Sequence, residues 1–139
     1  MVEWLVVGLG NPGPEYALSP HNVGFMVVDR LAEQSGARIS YKDSRALTGW
    51  ARIGGRRVLL AKPQTYMNLS GDAVKPLLDK NALAAGSLIV IYDDHDLPWM
   101  SLRIRPRGSA GGHHGMESLI RSLGTNEFTR VRLGINPGA

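Results

Sequence analysis

His21 follows Pro20 at what reads as the start of a helix. An imidazole, with an ordinary pKa of about 6.5, suits general-base work near neutrality, provided that an acceptor on its other ring nitrogen orients it. Asp93 and Asp94 end an otherwise apolar run, SLIVIYDD over residues 87–94, where an uncompensated carboxylate is costly. A pairing of His21 with Asp93 would meet both needs. The amides of Asn11, Asn22 and Asn68 can donate to a carbonyl or a water, although each also has an ordinary competing use as turn former or helix cap. There is no cysteine, no G-x-S-x-G elbow, and Ser19, Ser70 and Ser109 sit in turn-like contexts. The nucleophile that these residues favour is therefore water. His95 among Asp93, Asp94 and Asp96, with His113 and His114 further on, raises metal ligation as a competitor, but the spacing matches no metal motif and no metal is expected.

Gly8, Gly10 and Gly13 spell G-x-G-x-x-G within VVGLGNPGPEYALSPHNVGF. A dinucleotide site requires a helix to open at the third glycine, so that free N–H groups meet the pyrophosphate. Pro12, Pro14 and Pro20 keep the chain extended there instead, and Asp29 falls within a helical pattern, not at the end of a second strand. No nucleotide cofactor is expected.

The 139 residues carry 16 Lys and Arg against 12 Asp and Glu, a formal charge of +4. That is a weak sign of a polyanionic partner, and the distribution says more. SLRIRPRG sets Arg103, Arg105 and Arg107 at period two, and FTRVRLG does the same with Arg130 and Arg132, so in strands each set shares one face. Such a face is either the solvent side of a half-buried strand or a surface that meets phosphates. No apolar run is long enough to span a bilayer, and the N-terminal stretch lacks the basic flank and cleavage site of a signal peptide. A cytoplasmic, membrane-free monomer is expected.

The elements that must position these groups follow from periodicity. Residues 3–9 read as a buried strand, 22–35 as an amphipathic helix, and 47–54 with 56–62 as a hairpin turning at Gly54-Gly55. A helix capped by Asn68 or Ser70 runs to Lys80, then a strand covers 87–94, another 101–105, a helix 113–123 and a last strand 128–135. This alternation predicts an α/β fold, a single domain with a twisted mixed sheet flanked by helices on both faces. Ligands in such sheets collect at strand ends, where Asn11, Asn68 and Asp93 all fall.

Five segments then carry a family resemblance: GLGNPGPEYALSPHNVGFMVVDRLA, LAKPQTYMNLSGDAV, IYDDHDLP, GSAGGHHGMESLI and FTRVRLGIN. In this order and spacing the chain resembles bacterial-type peptidyl-tRNA hydrolase over nearly its whole length. The resemblance implies metal-independent and cofactor-free cleavage of the ester between a peptide and tRNA. It makes His21 the base that activates water and Asp93 its orienting partner, with Asn11, Asn22 and Asn68 at the substrate and Tyr16 and Met67 lining the adjoining groove. Arg103, Arg105 and Arg132 fall at the basic positions that meet tRNA phosphate.

Departures from the pattern are His114, where the family usually has asparagine at the substrate, Pro20 for an arginine, and Met100 for a glycine. Family members also continue past the segment matching RLGIN, so the domain over 1–139 is expected to lack their C-terminal portion. The alternative reading is a relative that binds tRNA without cleaving it.

Overall fold

The computed structural model describes residues 1–138. Seven strands form one mixed sheet: β1 (Trp4–Gly8), β2 (Tyr41–Asp43), β3 (Ala46–Ile53), β4 (Arg56–Pro63), β5 (Leu88–Pro98), β6 (Leu102–Arg105) and β7 (Thr129–Asn136). Three α-helices accompany them: α1 (Val23–Gln34), α2 (Gly71–Lys80) and α3 (His114–Leu123). The strand order is β2-β3-β4-β1-β5-β7-β6, with β1 parallel to β4 and β5, β5 parallel to β7, and antiparallel pairs at both edges.

The predicted α/β fold is the one observed. The hairpin turns at Gly54 and Gly55, both at positive φ (58° and 77°), as a two-residue reversal requires. The short β2 carries too little pattern to be foreseen. The interior strand runs on to Pro98, with a break in register between Asp94 and Pro98. Met100, at φ 65°, adopts the left-handed turn that glycine makes without strain. The expected cap of α2 is also different: Ser70 Oγ donates to Met67 O (2.7 Å), and a 3-10 turn at Met67–Leu69 leads into the helix. Asn68 stays exposed in that turn.

Alternation along β5 separates the two cores. Leu88, Val90 and Tyr92 join α2 and α3 on one face, around Val74, Leu77, Met116 and Leu119, while Ile91 faces Val28 and Ala32 of α1. On the α1 side the cover is partial, since Leu102 and Ile104 of β6 remain 50% and 57% exposed.

Glycines set how closely α1 approaches the sheet. A Cβ on Gly24 would lie 2.5 Å from Ile91 O and 2.6 Å from Leu9 O, and Leu9 N itself donates to Ile91 O (2.9 Å). The first turn of α1 therefore rests on the ends of β1 and β5. Gly8 faces the Gly24 carbonyl from the other side, so the first glycine of the G-x-G-x-x-G run serves helix–strand packing. Gly13, at φ 116°, enters a 3-10 turn over Pro14–Tyr16, and no helix opens there.

Replacing Gly24 with Ala should destabilise the protein by about 1–3 kcal/mol, the usual cost of overpacking, because the atoms in the way are backbone. Urea unfolding would read this as a lower midpoint; an unchanged midpoint would contradict the close approach.

Candidate active site

The 3-10 turn Pro20–Asn22 carries His21 to the sheet's end, with Ser19 Oγ accepting from His21 N (3.2 Å) and Pro20 supplying a first position that needs no donor. From there His21 Nδ1 meets Asp93 Oδ2 at 2.8 Å. The side chain of His21 is 63% exposed and that of Asp93 only 6%, so the imidazole faces outward while its partner lies beneath. A carboxylate accepts, so Nδ1 carries the proton and the Nε2 lone pair is left for a substrate water.

Asp93 has a second imidazole partner that the sequence reading weighed only for metal binding. His113 Nε2 lies 2.9 Å from Asp93 Oδ1, while His113 Nδ1 accepts from Met116 N at 3.2 Å, capping α3. That acceptor role fixes the tautomer: the proton sits on Nε2 and is donated to Asp93. Tyr92 packs edge-on against the His113 ring, with centroids 4.9 Å apart. Burial alone raises the Asp93 pKa, but the donations from His113 and His21 outweigh it and hold the carboxyl below its ordinary 3.8. The signal for His113 in the sequence was its place at a helix start after Gly111-Gly112, with a buried carboxylate in need of more than one donor.

Asn11 and Asn22 are tied to each other. Asn22 Oδ1 accepts from Asn11 N (2.8 Å) and its Nδ2 donates to Asn11 O (2.9 Å), and Asn22 is 3% exposed. This differs from the substrate contact expected of Asn22: its amide lies behind the loop and pins it, against Gly10, whose absent Cβ leaves room for Asn22 Oδ1. Asn11 Oδ1 accepts from Met67 N (2.8 Å), which leaves its Nδ2 as the donor. The same bond fixes the turn carrying Asn68, whose exposed side chain has no hydrogen-bond partner among the described residues. Tyr16 is 37% exposed and lines an adjoining hollow with Tyr66 and Thr65. His114 opens α3 with an exposed side chain that makes no hydrogen bond among the described residues; its neighbour His113 is the one joined to the His21–Asp93 pair.

Beside Asp93 lies a cleft of about 310 Å³, lined by Arg105, Arg107 and Arg132 and walled by the loop from Gly108 to Gly111. The antiparallel register sets Arg103 opposite Arg132 and Arg105 opposite Arg130, so the two arginine stripes do share a face. They are not equivalent. Arg103 stands on the exposed edge strand beside the cleft. Arg132 is held by Asp94, with Nε and Nη2 at 2.8 and 2.7 Å from Oδ2. Burial raises the Asp94 pKa, and the Asp96 N–H together with Arg132 more than reverses it. Arg130 corrects the reading of its stripe as surface: it is 2% exposed, because the loop after β6 folds over that end of β7. Among the described residues no three His, Asp or Glu side chains converge as a metal ion would require.

A base with a free nitrogen, a buried carboxylate orienting it, unpaired amide donors nearby and an arginine-lined cleft can together activate water beside an anionic ligand. The sequence profile of the family described as peptidyl-tRNA hydrolase matches residues 5–139. The peptidyl-tRNA hydrolase of Solibacter usitatus is 59% identical over 135 residues, covering 97% of this chain and 69% of that protein. That of Koribacter versatilis is 54% identical over 134 residues, covering 96% and 67%. The crystal structure of the Acinetobacter baumannii peptidyl-tRNA hydrolase superposes with a TM-score of 0.91 at 36% identity, covering 100% of this chain and 72% of that one. With the profile running almost end to end and the fold shared, the chain belongs to the peptidyl-tRNA hydrolase family.

Proposed function

We propose that this protein hydrolyses the ester linking a peptide to the 3′ end of tRNA, with water activated by His21 as the nucleophile. The observation that carries the mechanism is the His21–Asp93 contact at 2.8 Å, with the imidazole 63% exposed above a buried carboxylate. His21 Nε2 takes a proton as the water oxygen attacks the ester carbonyl. Asp93 stays charged and stabilises the imidazolium that forms. The free amides of Asn68 and Asn11 donate to the oxygen that becomes negative. Collapse breaks the bond to the ribose oxygen, and the imidazolium returns its proton to that oxygen, leaving a free 3′-hydroxyl and a peptide carboxylic acid.

Arg105 and Arg107, without a carboxylate partner within ion-pair distance among the described residues, are the cleft's first contacts for phosphate. Arg132 joins them only in competition with Asp94. This gives tRNA binding a salt dependence set by few charges. Exposed Tyr16 and half-buried Met67 offer apolar surface to the peptide side. The binding-only reading has less support, since His21 and His113 both meet Asp93, Asn11 Oδ1 accepts from Met67 N, and His114 takes part in none of these hydrogen bonds.

His21→Ala should lower single-turnover cleavage of peptidyl-tRNA by about 10²–10⁴-fold, the range for losing a general base, while salt-sensitive tRNA binding persists. Retained turnover would sink the mechanism. Asn68→Ala removes one oxyanion donor and should cost about 10²–10³-fold in kcat with little change in KM. The Asp93 pKa is lowered from 3.8, so its carboxylate stays charged, and able to accept from His21, throughout the neutral range.

A further inference from the structure

Arg130 is a buried cation that the hydrolytic scheme does not use. Its guanidinium makes no ion pair among the described residues; it lies over the Phe128 ring, 4.7 Å from the centroid, and its hydrogen bonds go to main-chain carbonyls: Nη1 donates to Gly108 O (2.7 Å) and Ser109 O (3.1 Å), and Nη2 to Asn126 O (2.6 Å) and Phe128 O (3.4 Å). Nε has no partner among the described residues. Carrying a charge at 2% exposure on carbonyls and one aromatic face, with no anionic partner among the described residues, is costly, which points to a role for Arg130 beyond stability.

The two segments that it joins are the loop after β6 and the turn before β7. That loop has few other anchors. Gly108, Gly111 and Gly112 all take positive φ (152°, 57° and 82°), and the hydrogen bonds from its main chain to distant parts of the fold, among the described residues, are the two that Arg130 makes. The loop is also the wall between two working parts. On one side it borders the cleft of Arg105, Arg107 and Arg132; on the other it turns through His113 N to Ala110 O (3.0 Å) into the imidazole that holds Asp93.

We infer that Arg130 is a positioning residue: by clipping the Gly108–Ser109 main chain to the turn before β7 it sets the cleft wall and the His113 ring together, and so fixes the Asp93 carboxylate on which His21 depends. The inference rests on the proposed hydrolytic reading for its consequence in turnover, though not for its structural part. A planar fork that spans four carbonyls cannot be replaced by an ammonium, which lacks the reach and the fixed geometry, so lysine is not a conservative exchange here. The competing account is that α3 alone holds His113 through the Met116 N–H, in which case the loop is only a cover.

The test compares the wild-type chain with Arg130→Lys and Gly108→Ala. The second variant leaves the guanidinium untouched: a Cβ on Gly108 comes no closer than 3.7 Å to Arg130, but φ 152° is a conformation that L side chains rarely adopt, so the carbonyl that Arg130 grips must shift. Imidazole ¹⁵N–¹H correlation spectra on histidine-labelled protein read whether His113 keeps its single Nε2–H tautomer, and saturating single-turnover cleavage of peptidyl-tRNA reads the rate. Both variants should lose the single tautomer of His113 and cleave at least about tenfold more slowly, with near-wild-type thermal midpoint for Gly108→Ala. A wild-type tautomer and rate in both, or a slower rate with an unaltered His113 spectrum, would overturn the inference. If Arg130→Lys does not fold, Gly108→Ala decides by the same criteria. If the wild type cleaves no peptidyl-tRNA, the hydrolytic reading fails, while the His113 spectra of the variants still decide whether Arg130 positions that ring.

Discussion

One buried carboxylate organises this molecule. Asp93 ends the apolar run of β5 at the point where the sheet stops covering it, and its two oxygens are taken by two imidazoles that come from different helix starts. Being the acceptor of both, it must stay ionised, and the two donors keep it so despite its burial. One imidazole stands open to the groove and the other is enclosed, so a symmetric set of contacts yields one accessible ring, the base of the proposed mechanism, and one enclosed brace. Any movement of α1, β5 or α3 relative to the others would break this arrangement.

Most of the surrounding architecture keeps those three elements in register. Gly8 and Gly24 let α1 lie against the ends of β1 and β5 so closely that no Cβ fits, which brings His21 down to Asp93. The Asn11–Asn22 pair ties the following loop to the same helix start, and Asn11 passes that constraint on to Met67 and the turn carrying Asn68. Ser118 Oγ accepts from Gly71 N (2.8 Å) in the interior, joining the first residue of α2 to α3. Each link is a short polar bond or a missing side chain at a strand end, with apolar packing behind it in the two cores.

The strong periodic signals were legible in the sequence: the apolar runs of β1 and β5, the amphipathic α1, and the hairpin at paired glycines. The pairing of His21 with Asp93 was also within reach, because a strand that ends in carboxylates needs a partner and an imidazole needs an acceptor. What the sequence hid was the identity of partners set by the tertiary fold. Period two puts Arg130 and Arg132 on one face but does not say that a loop will cover the first and an aspartate neutralise the second. Likewise a His-His pair shows no preference between its members, and only the start of α3 separates His113, turned to Asp93, from His114, turned to solvent. Asn22 read as a donor for substrate because its type permits it; burial assigned it to the loop instead.

The central claim is that water attacks the ester carbonyl with no covalent intermediate on the chain. Its most direct test is a single turnover of peptidyl-tRNA by the purified protein in H₂¹⁸O, with mass analysis of both products and of the protein. The account predicts one ¹⁸O in the carboxyl group of the released peptide, none in the tRNA 3′-hydroxyl, and an unmodified chain throughout. Label in the tRNA, a peptide attached to the protein during turnover, or intact substrate in the presence of folded protein would contradict it.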